Sequence, residues 1–307
     1  MPGLISDLVD NDIEVIEVVS CAELVKSWKS DFGIDVARLF QGVEQLHMVR
    51  NRKTGIVQFD PPILGDARFY KDLRSFKWYH PDAKEEFNAA AADYVPGQQV
   101  IDVGAGHGDF AGHVKGQDYL GLETDPEAVA DCVARGLNVL PMTMAEHLSR
   151  GDSKRADLTT AFQVLEHVAE PDVFLGQMVD LTKPGGCVVI GVPDADSYVS
   201  DLPDFMLNAP PHHITWWTED ALVGLMAEKG LAILDVRRFK LEPWERQLWW
   251  MAKFARLLSR SNVSKFGSPH RMRKVASFVL SFGAQILPLP QSATGSTLLA
   301  IAAKPSL

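Results

Sequence analysis

Val100-Ile101-Asp102-Val103-Gly104-Ala105-Gly106-His107-Gly108-Asp109-Phe110 is the stretch on which the reading of this chain turns. Gln99 to Val103 has the length and apolar content of a short buried strand. Asp109 to Val114 reads as the start of a helix, and the glycines Gly104, Gly106 and Gly108 fill the turn between them. Glycine there permits a tight turn and a close approach of backbone to a ligand. Such a turn alone is weak evidence, because many strand-to-helix turns carry glycine for packing. The residues beyond it are more specific. Asp118 to Glu123 is a second strand, closing on Leu120-Gly121-Leu122-Glu123. An acid at the end of that strand, about twenty residues past the loop, can accept hydrogen bonds from both hydroxyls of a ribose.

The spacing excludes other phosphate-binding turns. A dinucleotide-binding turn reads GxGxxG, whereas the third glycine here falls one residue early. No Gly-Lys-Ser/Thr comes after it, so the turn is not a P-loop. Working outward, strands and helices alternate. Asp125 and Pro126 open a helix to Ala134. Leu137 to Met142 is a third strand and Asp157 to Val164 a fourth. A helix from Pro171 to Thr182 stops before Pro184-Gly185-Gly186, and Cys187 to Val192 is a fifth strand. Glu219 to Lys229 is a helix ended by Gly230, and Leu231–Arg238 and Ser296–Lys304 are two more strands. Five β-then-α units imply a parallel sheet covered on both faces. Upstream, Pro81 to Tyr94 reads as a helix and Pro96-Gly97 as a turn. The expected division is an N-terminal cap over 1–95, a core over 96–240, a helical insertion over 241–294 and a last core strand over 295–307.

Composition narrows the class. The 307 residues are 46% hydrophobic with a formal net charge of −10, a globular balance and a poor one for gripping nucleic acid along a surface. Cys21, Cys132 and Cys187 lie far apart and form no CxxC pair, which argues against a disulfide framework or structural zinc and fits a reducing compartment. The N-terminal stretch is acidic where a signal peptide is basic, and no window reaches the length of an apolar membrane span. The expectation is a cytoplasmic protein that binds no nucleic acid.

Five blocks occur in one order: VIDVGAGHGDF, YLGLETDP, DLTTAFQVLEHVAEP, LTKPGGCVVIGVPDADSY and PPHHITWWTEDAL. Over residues 98 to about 240 they resemble the class I S-adenosylmethionine-dependent methyltransferases. The likeness is greatest to ubiquinone-pathway O-methyltransferases and to methyltransferases of sugar and polysaccharide biosynthesis. The resemblance implies an α/β, Rossmann-like, doubly wound and mostly parallel seven-stranded sheet, with S-adenosyl-L-methionine as cofactor. It implies that Gly104, Ala105 and Gly106 pass beside the methionine moiety, that Asp102 orients the loop or the cofactor ammonium, and that Glu123 holds the ribose with Thr124 beside it. Met144 stands where relatives often place an acid against adenine, so contact there falls to Met144, Ala145 and backbone groups. Gln163, three positions before Glu166, closes the cofactor set. The ubiquinone-pathway relatives place an acid there as a metal ligand. Gln163 is a poorer ligand for a hard cation, and no metal is expected.

Methyl transfer needs a nucleophile stripped of its proton. Glu166-His167, after the fourth strand, and Pro210-Pro211-His212-His213, before Trp216-Trp217, are the two candidate sources of a base, at His167, His212 or His213. The competing reading makes His167 a helix-entry group, one of the paired histidines a backbone partner, and the indoles core. Phe69, Tyr70, Trp78 and Tyr79 are candidates to shape the acceptor pocket or to fill core. The stretch Leu241 to Thr294 carries eight Lys or Arg against Glu242 and Glu245, with Trp244, Trp249, Trp250, Phe254, Leu257 and Leu258 able to share an apolar stripe. A basic amphipathic helix of this kind suits a membrane surface or a lipid-linked substrate, and equally a cap packed on the core or on a second subunit. The sequence therefore supports methylation of a small-molecule or carbohydrate-type acceptor, with oxygen the favoured atom and the protein a monomer or homodimer. A non-catalytic cofactor-binding module is the alternative; a nicotinamide oxidoreductase is disfavoured by the short glycine spacing.

Overall fold

The structure, a computed structural model, describes residues 12–76, 85–92, 94–114, 118–150, 155–258, 266 and 271–306. The chain begins with β1 (Ile13–Ser20), α1 (Cys21–Phe32), β2 (Gln45–Asn51), β3 (Val57–Asp60) and α2 (Ala67–Arg74). Its middle holds α3 (Glu85–Ala90), β4 (Val100–Val103), β5 (Tyr119–Glu123), α4 (Pro126–Ala134), β6 (Val139–Pro141), α5 (Met144–Ser149), β7 (Ala156–Phe162), α6 (Pro171–Leu181) and β8 (Thr182–Pro193). Then come β9 (Thr215–Trp216), α7 (Glu219–Glu228), β10 (Ala232–Lys240), α8 (Glu245–Leu257), α9 (Arg271–Ala284) and β11 (Thr294–Ala303). The described residues form two compact units. One draws on Met1–His80, Pro193–Ala221 and Arg238–Ser296, the other on Pro81–Val192, Leu222–Arg237 and Thr297–Leu307.

The second unit is organised by a seven-stranded sheet in the order β10-β11-β8-β7-β4-β5-β6. β4 runs parallel to β5 and to β7, β5 parallel to β6, and β7 parallel to β8. The bonds from Asp194 N to Ser296 O and from Lys304 N to Gly186 O set β11 antiparallel to β8. β4, all four residues of it buried, lies inside the sheet between β7 and β5, and is apolar but for Asp102. The chain steps outward from β4 to β5 and β6, then returns to add β7 and β8 on the other side. That reversal is the switch point at which open α/β sheets bind ligands, beyond the carboxyl ends of the strands. The expected Rossmann-like, mostly parallel seven-stranded α/β fold is what the chain adopts.

In the first unit β1, β2 and β3 pair antiparallel and β9 joins β3, Gln58 facing Thr215. Over this sheet the core gathers Leu24 and Trp28 of α1, Leu46, Phe59, and Phe69 and Leu73 of α2. Ser20 starts α1 by accepting the Glu23 amide, and Gly33 ends it at φ 71°. A second apolar cluster joins Tyr198, Val199 and Leu202 to Trp249, Met251 and Ala252 of α8.

Local expectations shift in four places. The helix read over Asp109 to Val114 is a single 3-10 turn, Asp109–Gly112, preceded by Gly108 in the left-handed region with no side-chain cap. Pro184-Gly185-Gly186 does not separate α6 from a strand; it lies inside β8, which already pairs at Thr182 with Ala156 before the register shifts. The apolar stripe read across α8 is divided: Trp249 is buried, whereas Trp244, Leu257 and Leu258 are exposed. Of the helix read over Pro81 to Tyr94, α3 is the described part, and Trp78 and Tyr79 lie outside the described residues. No helix among the described residues is long and apolar enough to cross a membrane.

Candidate functional site

β4 delivers the chain into the glycine turn at the carboxyl end of the sheet. The Gly104 and Ala105 amides donate to the Leu122 carbonyl, at 2.8 and 3.2 Å, so the turn is tied to the end of β5. Gly104 adopts φ 67°, and a Cβ there would stand 2.5 Å from a Val164 methyl carbon, so both conformation and space demand glycine. Gly106 adopts φ 53°, with open space where its Cβ would project. That uncovered backbone edge faces Glu123. Oε2 of Glu123 accepts the Gly106 amide at 2.8 Å, and Oε1 accepts the amides of Thr124 and Asp125 at 2.6 and 2.8 Å. Three backbone donors thus fix the carboxylate against the loop. Oε1 thereby has both lone pairs engaged, while Oε2 keeps one that a ribose hydroxyl can use. An uncovered glycine edge beside an oriented acid fits a nucleoside cofactor.

Asp102 lies beneath the turn rather than at its surface. Buried in β4, it accepts the Thr160 hydroxyl at 2.7 Å and the Tyr119 hydroxyl at 2.9 Å. Burial, reinforced by the Asp102 charge, pushes the Tyr119 phenol above its usual range and keeps it a neutral donor. Asp102 therefore links β4, β5 and β7 and supports the loop from behind. Past β6, Thr143 and Glu146 form a reciprocal cap at the start of α5, with Met144 buried and Ala145 exposed. Gln163 comes after β7 at φ 57°, an uncommon conformation for a side-chain-bearing residue. Its amide donates to the Gly191 carbonyl at 2.8 Å, and its side chain donates to Glu86 Oε2 at 3.2 Å.

Glu86 escaped the sequence reading. It is a buried carboxylate on α3, near enough to β8 that a Cβ on Gly191 would sit 2.6 Å from its Oε2. The one signal for it was an acid directly before Phe87 in a helix-forming stretch. His147, also unread, is buried on α5 with neither ring nitrogen hydrogen-bonded among the described residues.

Of the candidate bases, His167 closes the single turn Leu165–His167 after β7, with Nε2 3.9 Å from the buried Glu166 carboxylate. In the first unit His212 and His213 come together, rings stacked at 4.3 Å between centroids. Nδ1 of His212 lies 2.8 Å from the Leu207 carbonyl, and Nδ1 of His213 lies 3.0 Å from Oδ1 of Asn208. Both partners are acceptors, so each Nδ1 is the donor. The indoles pack inward. Trp216 donates to the Asn208 carbonyl and meets Phe59 edge-on, and Trp217 is fully buried. Phe69 is core, while Tyr70 stands 6.2 Å from the His212 ring.

Residues 76–236 match the family described as methyltransferase domain. A ubiquinone biosynthesis O-methyltransferase of Burkholderia pseudomallei is 30% identical over 209 residues, which cover 56% of this chain and 88% of that one. An uncharacterized 37.1 kDa protein from a transposon of Streptomyces fradiae is 30% identical over 135 residues, 41% of this chain and 39% of its own length. Among solved structures, an S-adenosylmethionine-dependent methyltransferase of Thermotoga maritima superposes with a TM-score of 0.50 at 19% identity, covering 78% of this chain and 97% of its own.

Proposed function

We propose, from the premise that this chain belongs to the methyltransferase domain family and is an S-adenosylmethionine-dependent methyltransferase, that it methylates an oxygen of a small-molecule or carbohydrate-type acceptor. The observation that carries the choice of oxygen is the histidine pair. Imidazole is suited to taking a hydroxyl proton near neutral pH, and both rings are oriented through Nδ1, His212 by the Leu207 carbonyl and His213 by Oδ1 of Asn208. When bound, S-adenosylmethionine supplies an electrophilic methyl group on sulfonium. Gly104, Ala105 and Gly106 would hold the turn that receives its methionine end, and Glu123 would accept a ribose hydroxyl through Oε2. Met144 and Ala145 border the base, Thr124 flanks Glu123, and Gln163 closes the carboxyl end of β7. Asp102 keeps the turn in place.

His212 or His213 would take the proton of the acceptor hydroxyl and be left as imidazolium. His167 is the second candidate for this step, with the Glu166 carboxylate 3.9 Å from its Nε2. Positioning supplies roughly 7–11 kcal/mol of such a barrier in favourable cases, and a base a further factor of about 10²–10⁴. The reading extends to acceptors held at a membrane through the basic segment 241–294.

Calorimetric titration with S-adenosylmethionine and S-adenosylhomocysteine, beside Glu123→Ala, tests the donor half; binding that the variant loses is the expected result. Turnover on sugars and lipid-linked glycans tests the acceptor half. His212→Ala or His213→Ala lowers kcat by about 10²–10⁴ with cofactor affinity kept. Wild-type rates in both would remove the pair from the mechanism.

A further inference from the structure

We propose that α9 docks the protein on an anionic lipid surface. A helix at a protein surface ordinarily turns its apolar stripe inward. In α9 the arrangement is reversed. Its buried positions are Ser277, Ser281 and Ala284, while Met272, Val275, Val279 and Phe282 are exposed, Met272 at 84% and Val279 at 63%. Ile286, just beyond the helix, is 89% exposed. Spacings of three and four place these residues along one face, with Phe278 and Leu280 exposed beside them. The inward serines need no partner from elsewhere, because Ser277 donates to the Lys274 carbonyl and Ser281 to the Phe278 carbonyl. An apolar face of this extent, held toward water by a satisfied polar one, marks a surface built to be covered.

Charge selects what covers it. From Arg246 to Ser296 there is no Asp or Glu and there are eight Lys or Arg, in a protein whose net charge is −10. Some of these cations serve the fold: Lys274 pairs with Asp31, and Arg246 donates to the Gln285 carbonyl. Arg256 lies 3.8 Å from Asp201 and still faces water. Its side chain is 72% exposed, and the exposed Leu257 and Leu258 come directly after it. A second copy on the same face would set this basic region against its own likeness, which is unfavourable. An anionic leaflet offers the opposite charge together with an apolar interior for the stripe. The proposal does not depend on the identity of the methyl acceptor.

The test is sedimentation of the full chain with vesicles of phosphatidylcholine and phosphatidylglycerol in equal parts, beside vesicles of phosphatidylcholine alone. The protein is expected to pellet with the mixed vesicles, to partition at least about tenfold more weakly onto the neutral ones, and to be released by salt. Val279→Glu with Phe282→Glu lowers the partition at least about tenfold, with S-adenosylhomocysteine binding and helix content unchanged. Arg256→Gln lowers it about fivefold without touching the stripe. Protein that stays in the supernatant with mixed vesicles overturns the proposal, as does equal binding to both vesicle types. A dimer that Phe282→Glu dissociates, with no vesicle binding, would overturn it in favour of a second copy.

Discussion

Two hydroxyls, from Tyr119 and Thr160, point at one buried carboxylate, and that geometry makes Asp102 a demanding position. Asp102→Asn replaces one of the two acceptor oxygens by a donor, which then meets a hydroxyl whose own proton needs an acceptor. The expected cost is about 2 kcal/mol, read as a lower urea midpoint. A second residue gives a pH dependence. Burial pushes the Cys21 thiol from 9.0 up to about 11, against a backbone hydrogen bond that lowers it. The unfolded chain gives up that proton first, so the stability tied to it is whole below pH 9 and is lost as pH rises toward about 11. Urea titrations across that window should show wild type weakening more than Cys21→Ala. Gly104 and Glu123 were legible in the sequence because strand, turn and acid lie within one short span. Glu86 was not, since its meaning depends on meeting Gln163, 77 residues further on.

The elements show the same division between local and distant causes. α4 could be read whole: Asp125 accepts the amides of Glu127 and Ala128, and Pro126 occupies the first turn. Asp125→Ala is expected to cost about 1 kcal/mol in thermal or chemical unfolding. β8 could not be read at its start. Pro184-Gly185-Gly186 signals a turn, yet the ladder to β7 begins at Thr182 and absorbs those residues as a shift of register. The segment after Gly108 reads as a helix start, but Gly108 precedes it in the left-handed region and Gly112 is its last residue, and it closes as a single 3-10 turn. Periodicity marks the segment around α9 as amphipathic but carries no information about which face turns outward. That is decided by tertiary packing, and here Ser277 and Ser281 are the buried positions.

At the scale of the whole molecule, Glu245 joins stretches that the sequence keeps far apart. Its Oε1 accepts the Tyr198 hydroxyl at 2.9 Å and the amide and hydroxyl of Ser296 at 2.9 and 2.6 Å, while Oε2 accepts the Glu242 amide. Glu245→Ala leaves these donors unanswered in a buried place and is expected to destabilise the first unit by about 3 kcal/mol or more, measured by urea unfolding. Glu245→Gln should recover part of that loss. None of this was visible in the sequence, where Glu245 is one of two acids in a basic segment. The first unit is itself assembled from three separated stretches, and its sheet ends where Gln58 meets Thr215. During synthesis, then, the opening strands leave the ribosome long before the strand that completes their sheet exists. They must wait, with β3 an open edge, while the sheet that carries the glycine turn is being made. Neither half can be cut from the gene as one continuous fragment, and a nascent chain stopped before Thr215 would offer that edge to whatever strand arrives first.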